Sequence, residues 1–359
     1  MKITGVKVTP IAIPRTSALT TSYGIGAATS ESVIVEVMTD DGLTGIGQTA
    51  GQGQAIEAVV SMLRKQFTPA IIGEDPMNIE HLNIKLHSVL RGHLSSRAAI
   101  ELALWDLKGK ALGVPVYQLL GGRVREGVNL MGFVGRDEPE VMAEEAVKTL
   151  NETPYPVLKM KVGIDPKQDV ACYRAVAEAV GHRALIQVDG NTGYSIAEAI
   201  PALTIMHDIG GLGTIEQPVS SLEDLTDLAS RLPVPIMADE AINAPSDAIA
   251  VVRSRAASMA LMKITKHGGI LNVQKIAAVF ESAGLTLSMA VYFDLMAAAA
   301  AHLSAAFPSV RWPSPATVLK DTILTKPLEV GGLILKAPDK PGFGVAFDQE
   351  KIEKYRLDG

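Results

Sequence analysis

Val157-Leu158-Lys159-Met160-Lys161, Leu185-Ile186-Gln187-Val188-Asp189, Gly213-Thr214-Ile215-Glu216, Pro235-Ile236-Met237-Ala238-Asp239 and Met259-Ala260-Leu261-Met262-Lys263 are five short apolar runs, each closed by a charged residue. The closing residues recur every 23 to 28 positions. Segments between them, such as 169–180 and 222–232, carry the apolar spacing of amphipathic helices. Strand, helix, strand at that period predicts repeated βα units and a parallel sheet. In a closed βα barrel the carboxyl ends of the strands face one way and carry the active site. The five charges then converge on one mouth in the order Lys161, Asp189, Glu216, Asp239, Lys263.

That order has chemical content. Three carboxylates from neighbouring strands, with no Cys or His among them, make an all-oxygen site suited to Mg²⁺ or Mn²⁺ and not to zinc. Packed side by side they repel one another, so a cation is the natural way to hold them ionised. Lys161 and Lys263 would flank that cation from opposite sides, and a partly desolvated lysine beside a divalent cation has a lowered pKa and can act as a neutral general base. Lys159, two residues before Lys161, shares its strand face and is a third catalytic candidate, its charge expected to favour the neutral amine of Lys161 by repulsion. Asp189-Gly190-Asn191 taken singly reads equally as turn or ligand, whereas an acid closing an apolar strand, as Glu216 does, must find a partner. Asn191 is a candidate polar contact, and Glu240 a hydrogen-bonding support to the ligands. Lys266 competes with Lys263 for the second catalytic position: Lys263 ends the apolar run, while Lys266 lies in the following turn. The seven histidines show no zinc or metalloprotease spacing, and His267 reads as a loop residue.

Length and composition set the frame. A chain of 359 residues with 47% hydrophobic and 20% charged residues is long enough for one barrel and a smaller domain. A net charge of −6 gives no electrostatic reason to expect nucleic acid or an anionic membrane as partner. The single cysteine, Cys172, excludes an internal disulfide, fits a reducing compartment and reads as a small buried hydrophobe. The amino terminus alternates like a strand without a signal-peptide core, and no apolar run approaches the ~20 residues of a membrane span. A cytoplasmic enzyme is the expectation.

The motifs resemble the enolase superfamily, and within it the muconate lactonizing enzyme subgroup. The matching pieces are Lys159-Met160-Lys161, Asp189-Gly190-Asn191, Ile215-Glu216-Gln217-Pro218, Met237-Ala238-Asp239-Glu240 and the stretch 261–269 with Lys263, Lys266 and Gly268-Gly269. Upstream, residues 96–110 and Leu119-Leu120-Gly121-Gly122-Arg123 match as well, so the resemblance covers nearly the whole chain. It implies a modified TIM barrel, (β/α)7β, with an α+β capping domain built from the N-terminal part and the C-terminal tail. It also implies Mg²⁺ at Asp189, Glu216 and Asp239, a lysine base and an ene-diolate. The subgroup's pattern selects Lys263, not Lys266, as the second catalytic lysine.

In that frame residues 1–125 are the capping domain, 126–326 the barrel and 327–359 the returning tail. Residues 1–13 and 32–49 read as an antiparallel set with Asp41-Gly42 at the hairpin turn. Helices are expected near 54–69, 76–92 and 96–112, the last capped by Ser95 or Ser96 and buried between domains with Trp105 in its core. The aperiodic segment 14–30 would be a lid over the mouth, with Tyr23 its substrate contact, and residues 49–53 form a second glycine-containing loop. Further candidate contacts are Tyr292 and Asp294. The acids that muconate lactonizing enzymes carry after strand seven and at strand eight are replaced by Ala290-Val291-Tyr292-Phe293-Asp294 and Trp312-Pro313-Ser314-Pro315, and the Asp-x-Asp of dipeptide epimerases is absent. The resemblance implies a cycloisomerase acting on a small carboxylate in a homo-oligomer. A racemase, epimerase or dehydratase of an amino- or hydroxy-acid derivative is the alternative, and a non-catalytic carboxylate-binding barrel a remoter one.

Overall fold

A computed structural model describes residues 1–16, 20–51 and 54–358. Eight parallel strands close into a barrel: β1 (Gly127–Val134), β2 (Val157–Lys161), β3 (Leu185–Asp189), β4 (Leu212–Glu216), β5 (Ile236–Ala238), β6 (Met259–Met262), β7 (Thr286–Met289) and β8 (Val310–Trp312, then Ser314–Pro315). Each pairs with its neighbour, and β8 closes the ring by bending at Pro313. Its first half pairs with β7, and Ser314 and Pro315 lie opposite Leu130 and Met131 of β1. Proline has no N–H to give a ladder, so the break falls where the strand changes partner. The helices Pro139–Glu152, Pro166–Val180, Ile196–Ile209, Leu222–Arg231, Pro245–Ser254, Ile270–Ser282 and Asp294–Ala306 alternate with the strands. The fold is the (β/α)7β barrel expected.

Strands β2 to β6 are almost wholly buried, as their unbroken apolar runs require when helices cover the outside. Several helix starts are written locally: Asp165 accepts from the Lys167 and Gln168 amides with Pro166 at the first helical position, and Ser195 and Glu198 form a capping box.

The capping sheet has Thr29–Thr39 at its centre, antiparallel to Ile3–Pro14 and Thr44–Ala50. Gly42, at φ +86°, makes the turn. The helix expected near 54–69 runs through Ile56–Met62, a π-helical stretch Leu63–Phe67 and Thr68–Ile71. Leu94–Leu112 is buried on nearly every side, wedged between capping sheet and barrel. Its cap differs from expectation. The chain enters through His93 in the left-handed region, with no side-chain cap, and Ser95 and Ser96 lie inside the first turn, buried. Trp105 and Cys172 are buried as read.

The helix packs so closely on Thr44–Ala50 that a Cβ on Gly47 would stand 1.9 Å from the Ala99 carbonyl oxygen. Gly47→Ala must push helix and sheet apart, and we expect a loss at or above the top of the ~1–3 kcal/mol typical of overpacking, read as a fall in melting temperature.

On the barrel side, buried Glu101 accepts hydrogen bonds from the Leu271 amide (2.8 Å) and Trp105 Nε1 (3.2 Å). It thereby caps the helix that follows β6, where a carboxylate suits the positive end of the helix dipole. His302, on the wholly buried Asp294–Ala306 helix, accepts from the Tyr117 amide at 3.2 Å and stacks on the Tyr117 ring. Its other ring nitrogen meets the Phe343 carbonyl at 3.1 Å. Burial pushes its pKa down to about 4, so it is a neutral rivet. The tail crosses β1 antiparallel at Ile334–Lys336 and reaches the first capping strand, where Ala12 donates to Tyr355 and Leu357 to Pro10. No helix among the described residues is long and apolar enough to cross a membrane.

Candidate active site

Strand register sets the charged row. Lys161 pairs with Asp189, and Asp189 with Glu216. Glu216 then lies opposite Met237, so Asp239 stands two residues further toward the mouth. This is the stagger a tilted barrel imposes. All three carboxylates are buried, as are Lys159 and Lys161.

The ammonium groups lie between the acids. Lys159 Nζ is 2.8 Å from Asp189 Oδ2 and 2.6 Å from Glu216 Oε2. Lys161 Nζ is 2.5 Å from the same Asp189 oxygen and 2.6 Å from Asn191 Oδ1. On the far side Lys263 pairs with Asp239 Oδ2, and Lys266 lies 2.7 Å from Asp239 Oδ1. The expected residues therefore meet: two lysines on β2, the carboxylates on β3, β4 and just past β5, two lysines after β6.

Burial works against ionisation of Asp189, but the ammoniums of Lys159 and Lys161 outweigh it and hold the carboxyl well below its usual range. Lys263 and Lys266 do the same for Asp239. Glu216 goes the other way: burial, then the charges of Asp189 and Asp239, push it up to about 7. Lys263 differs from the expectation of a lowered pKa. Burial alone would lower it, but Asp239, with Tyr292 and Glu240, holds it well above the ordinary lysine value. Lys159 is likewise raised, through Asp189 and Glu216. The acids thus stabilise the ammoniums that bridge them. Lys266 is lowered, by burial first. Burial and Lys266 push His267 down to about 3, leaving it neutral, with Nδ1 3.3 Å from the Asn243 carbonyl.

Among the described residues no three Asp, Glu, His or Cys side chains form a ready-made cage for a metal, because ammonium groups bridge the acids. The donor set nonetheless fits a hard divalent cation: oxygen only, three buried acids, and one oxygen, Glu216 Oε1, buried without a hydrogen-bond partner. Asp189, Glu216 and Asp239 are the residues that would hold it.

Residues not singled out in the sequence support this row. Gln187 donates through Nε2 to Glu216 Oε2, and its Oε1 accepts from Trp312 Nε1 at 2.6 Å. Gln217, at φ +33°, accepts from the amides of Asp239 (2.8 Å) and Ala241 (3.1 Å), fixing the end of β5. Gln187 had a signal, its place two residues before Asp189 on the same face. Gln217 had only adjacency to Glu216.

Residues 14–16 and 20–30 are tied to both sides of the mouth. Lys320 donates to the Pro14 carbonyl (3.0 Å) and Thr16 Oγ1 to that of Val318 (3.1 Å) on the β8 side. On the other, Ser22 Oγ donates to the Asn191 carbonyl (2.7 Å) and Tyr23 OH to Glu240 Oε1 (3.0 Å). Asn191 Nδ2 reaches the same Glu240 oxygen at 3.2 Å. Residues 17–19 of the expected lid, and 52–53 of the second loop, lie outside the described residues. Tyr292 stands close enough to Lys263 to act on its charge. Asp294 is not brought to the cluster. Its Oδ1 accepts from Thr322 Oγ1 and the Ile323 amide, both of the segment that follows β8.

Glu216 and Glu101 are both raised from an ordinary 4.5 to about 7. Stability contributed by a raised carboxyl is complete below its unfolded value and is lost as pH rises through the folded one. The contribution of these two glutamates is therefore lost between about pH 4.5 and 7. That of the buried neutral His267 and His302, lowered from 6.5 to about 3 and 4, rises over nearly the same range and opposes it. A cation must displace the Glu216 proton at pH 6 but not at pH 8. Thermal melts should show a larger stabilisation by Mg²⁺ at pH 8 than at pH 6, and an equal shift at both would refute the assignment of Glu216.

A capped (β/α)7β barrel with acids and amines converging at its strand ends defines a class of barrel enzymes. Comparison with known proteins narrows the class. Residues 3–121 match the mandelate racemase / muconate lactonizing enzyme N-terminal domain, and residues 141–351 the enolase C-terminal domain-like family. The chain belongs to the enolase superfamily, in its muconate lactonizing enzyme subgroup, and is an isomerase-type enzyme. It is similar to muconate cycloisomerase 1-1 of Acinetobacter lwoffii, with 32% identity over 98% of this chain and 94% of that one. It is similar to the N-succinyl-L-Arg/Lys racemase of Bacillus cereus, with 31% identity over 99% and 98%. Among solved structures, the dipeptide epimerase of Enterococcus faecalis V583 complexed with Mg and L-Leu-L-Tyr superposes with a TM-score of 0.89, at 29% identity over 96% of this chain and 100% of that one.

Proposed function

We propose that the chain is a Mg²⁺-dependent racemase or epimerase that moves the proton on the carbon next to a substrate carboxylate. The observation that carries this reading is the placement of amines on both sides of the acid row, Lys159 and Lys161 on β2 and Lys263 after β6. When bound at Asp189, Glu216 and Asp239, the cation would attract the substrate carboxylate and stabilise the negative charge that builds on it.

Lys161, as the neutral amine, takes the α-proton. Lys263, as the ammonium, returns one to the opposite face of the planar carbon. Lys159 keeps positive charge between Asp189 and Glu216. Asn191 orients Lys161, and Glu240 anchors both Asn191 and the lid tyrosine, Tyr23, which excludes water when the loop lies down. A protein that only bound a carboxylate would have no use for bases on both faces.

Residues 20–30, 290–293 and 312–319 contain no charged side chain. The half of the mouth they form suits a substrate whose remainder is neutral, such as an N-acyl amino acid with an apolar side chain. A second carboxylate there would lack a cation to pair with, which sets muconate cycloisomerisation second. Similarity to the Acinetobacter lwoffii cycloisomerase supports that second reading.

Incubation in deuterated water with Mg²⁺, followed by NMR, separates the two, using N-acetyl-L-leucine, N-succinyl-L-arginine and muconate as candidates. Deuterium entering the α-position of an N-acyl amino acid with inversion is the expected result. Lactone formation from muconate without exchange in the amino acids would establish the cycloisomerase instead.

A further inference from the structure

The strongest unassigned polar centre lies behind the mouth, on the first turn of the Pro166–Val180 helix. Asp169 is fully buried. Its Oδ1 accepts from Arg136 Nη1 at 2.5 Å, and its Oδ2 from the amides of Gly163 (2.8 Å) and Ile164 (3.2 Å) and from Tyr194 OH (2.7 Å). The donors come from three loops: Arg136 follows β1, Gly163 and Ile164 follow β2, and Tyr194 follows β3. Arg136 also reaches the Lys161 carbonyl at 3.5 Å.

The second and third of these loops touch backbone to backbone. A Cβ on Gly163, at φ +94°, would stand 2.3 Å from the Gly190 carbonyl oxygen, and one on Gly193 2.0 Å from that of Gly163. Those loops leave the strands that carry Lys161 on one side and Asp189 and Asn191 on the other.

We propose that Asp169 is a positioning residue for Lys161, bolting together the loops after β1, β2 and β3 so that Nζ stands at a fixed place beside Asp189 and Asn191. Gly163 is two residues beyond Lys161, so a shift at that amide passes to the lysine through the two peptide units that join them. Asp169 touches none of the acid row and acts through backbone alone. Misplacing a reacting group by about 1 Å can cost about 100-fold in rate, whereas Lys263, across the barrel, is anchored independently on Asp239. This role rests on the proposal that Lys161 is the base on one face.

Two bases on two faces make the role testable apart from simple stability. Exchange of the α-proton is measured separately for N-acetyl-L-leucine and N-acetyl-D-leucine, with wild type, Asp169→Asn, Tyr194→Phe and Lys161→Ala. Asp169→Asn should slow exchange of one enantiomer by about 100-fold and leave the other within about threefold, with KM and Mn²⁺ affinity by calorimetry changed little. Tyr194→Phe, which removes one hydroxyl, should act on the same enantiomer more weakly and serves should Asp169→Asn not fold. Equal losses on both enantiomers, or none, would reduce Asp169 to a general structural residue and overturn the proposal. If Lys161→Ala leaves both enantiomers untouched, or wild type exchanges neither, the reading of Lys161 has failed and takes this role with it.

Discussion

Lys161→Ala should lose α-proton exchange on one face by about 10²–10⁴-fold, the range a positioned general base supplies, while its affinity for Mg²⁺ or Mn²⁺ rises. The two effects have one origin. Lys161 Nζ lies 2.5 Å from an Asp189 oxygen that Lys159 also holds, so that ammonium competes for an oxygen the proposed cation would use. Removing it leaves Asp189 with one competitor instead of two, and the cation meets less positive charge. A purely structural role predicts the reverse, weaker metal binding in a loosened site. NMR-detected exchange in deuterated water and Mn²⁺ titration calorimetry give both numbers. Full exchange on both faces would show that another residue is the base, and a fall in affinity would show that the lysine does not compete with the cation.

Asp189→Ala should be the most damaging single change to the site. It removes a proposed ligand and leaves two buried ammoniums short of a partner, Lys161 with only Asn191 Oδ1 and Lys159 with only Glu216. Breaking a buried pair from one side costs about 3–5 kcal/mol, and the loss should be visible in urea or thermal unfolding without added metal. Metal affinity should fall below detection, since the two remaining acids face an excess of positive charge. The attribution is checked by Lys161→Met in the Asp189→Ala background: removing the stranded charge should recover part of the lost stability. If the double variant is no more stable than Asp189→Ala, the cost came from cavity or backbone effects and not from the buried charge.

The acid row was readable because each acid closes an apolar run, and strand pairing forces such residues to one end of the barrel whatever the loops do. The lysine pairings were not. Whether Lys159 sits on Asp189, Glu216 or both depends on strand stagger, and a flexible four-carbon stem reaches several partners. Asp169 enters the sequence reading only as the first residue of the amphipathic segment 169–180, and its burial emerges only when Arg136, Gly163 and Tyr194 arrive from three separate loops. Glu101 was part of an apolar helix match, and its work on the helix after β6 crosses 170 positions of sequence. Asp294 shows the converse. Its place at the end of β7 suggested the mouth, but the left-handed backbone there, at φ +50°, accompanies bonds to Thr322 and Ile323.

By itself the sequence determined the βα period, the parallel sheet it implies, and which five charged residues close the apolar runs; the closed barrel with its cap came from the family resemblance. Periodicity and the burial of apolar runs act over a few residues at a time, so they are written locally. Only the tertiary structure decided which ammonium meets which carboxylate, how Thr16 on one side and Ser22 and Tyr23 on the other are tied to the mouth, and what holds the loops behind Lys161. Those are contacts between side chains from distant segments, and their distances are set by strand tilt and helix packing that no single stretch of chain contains.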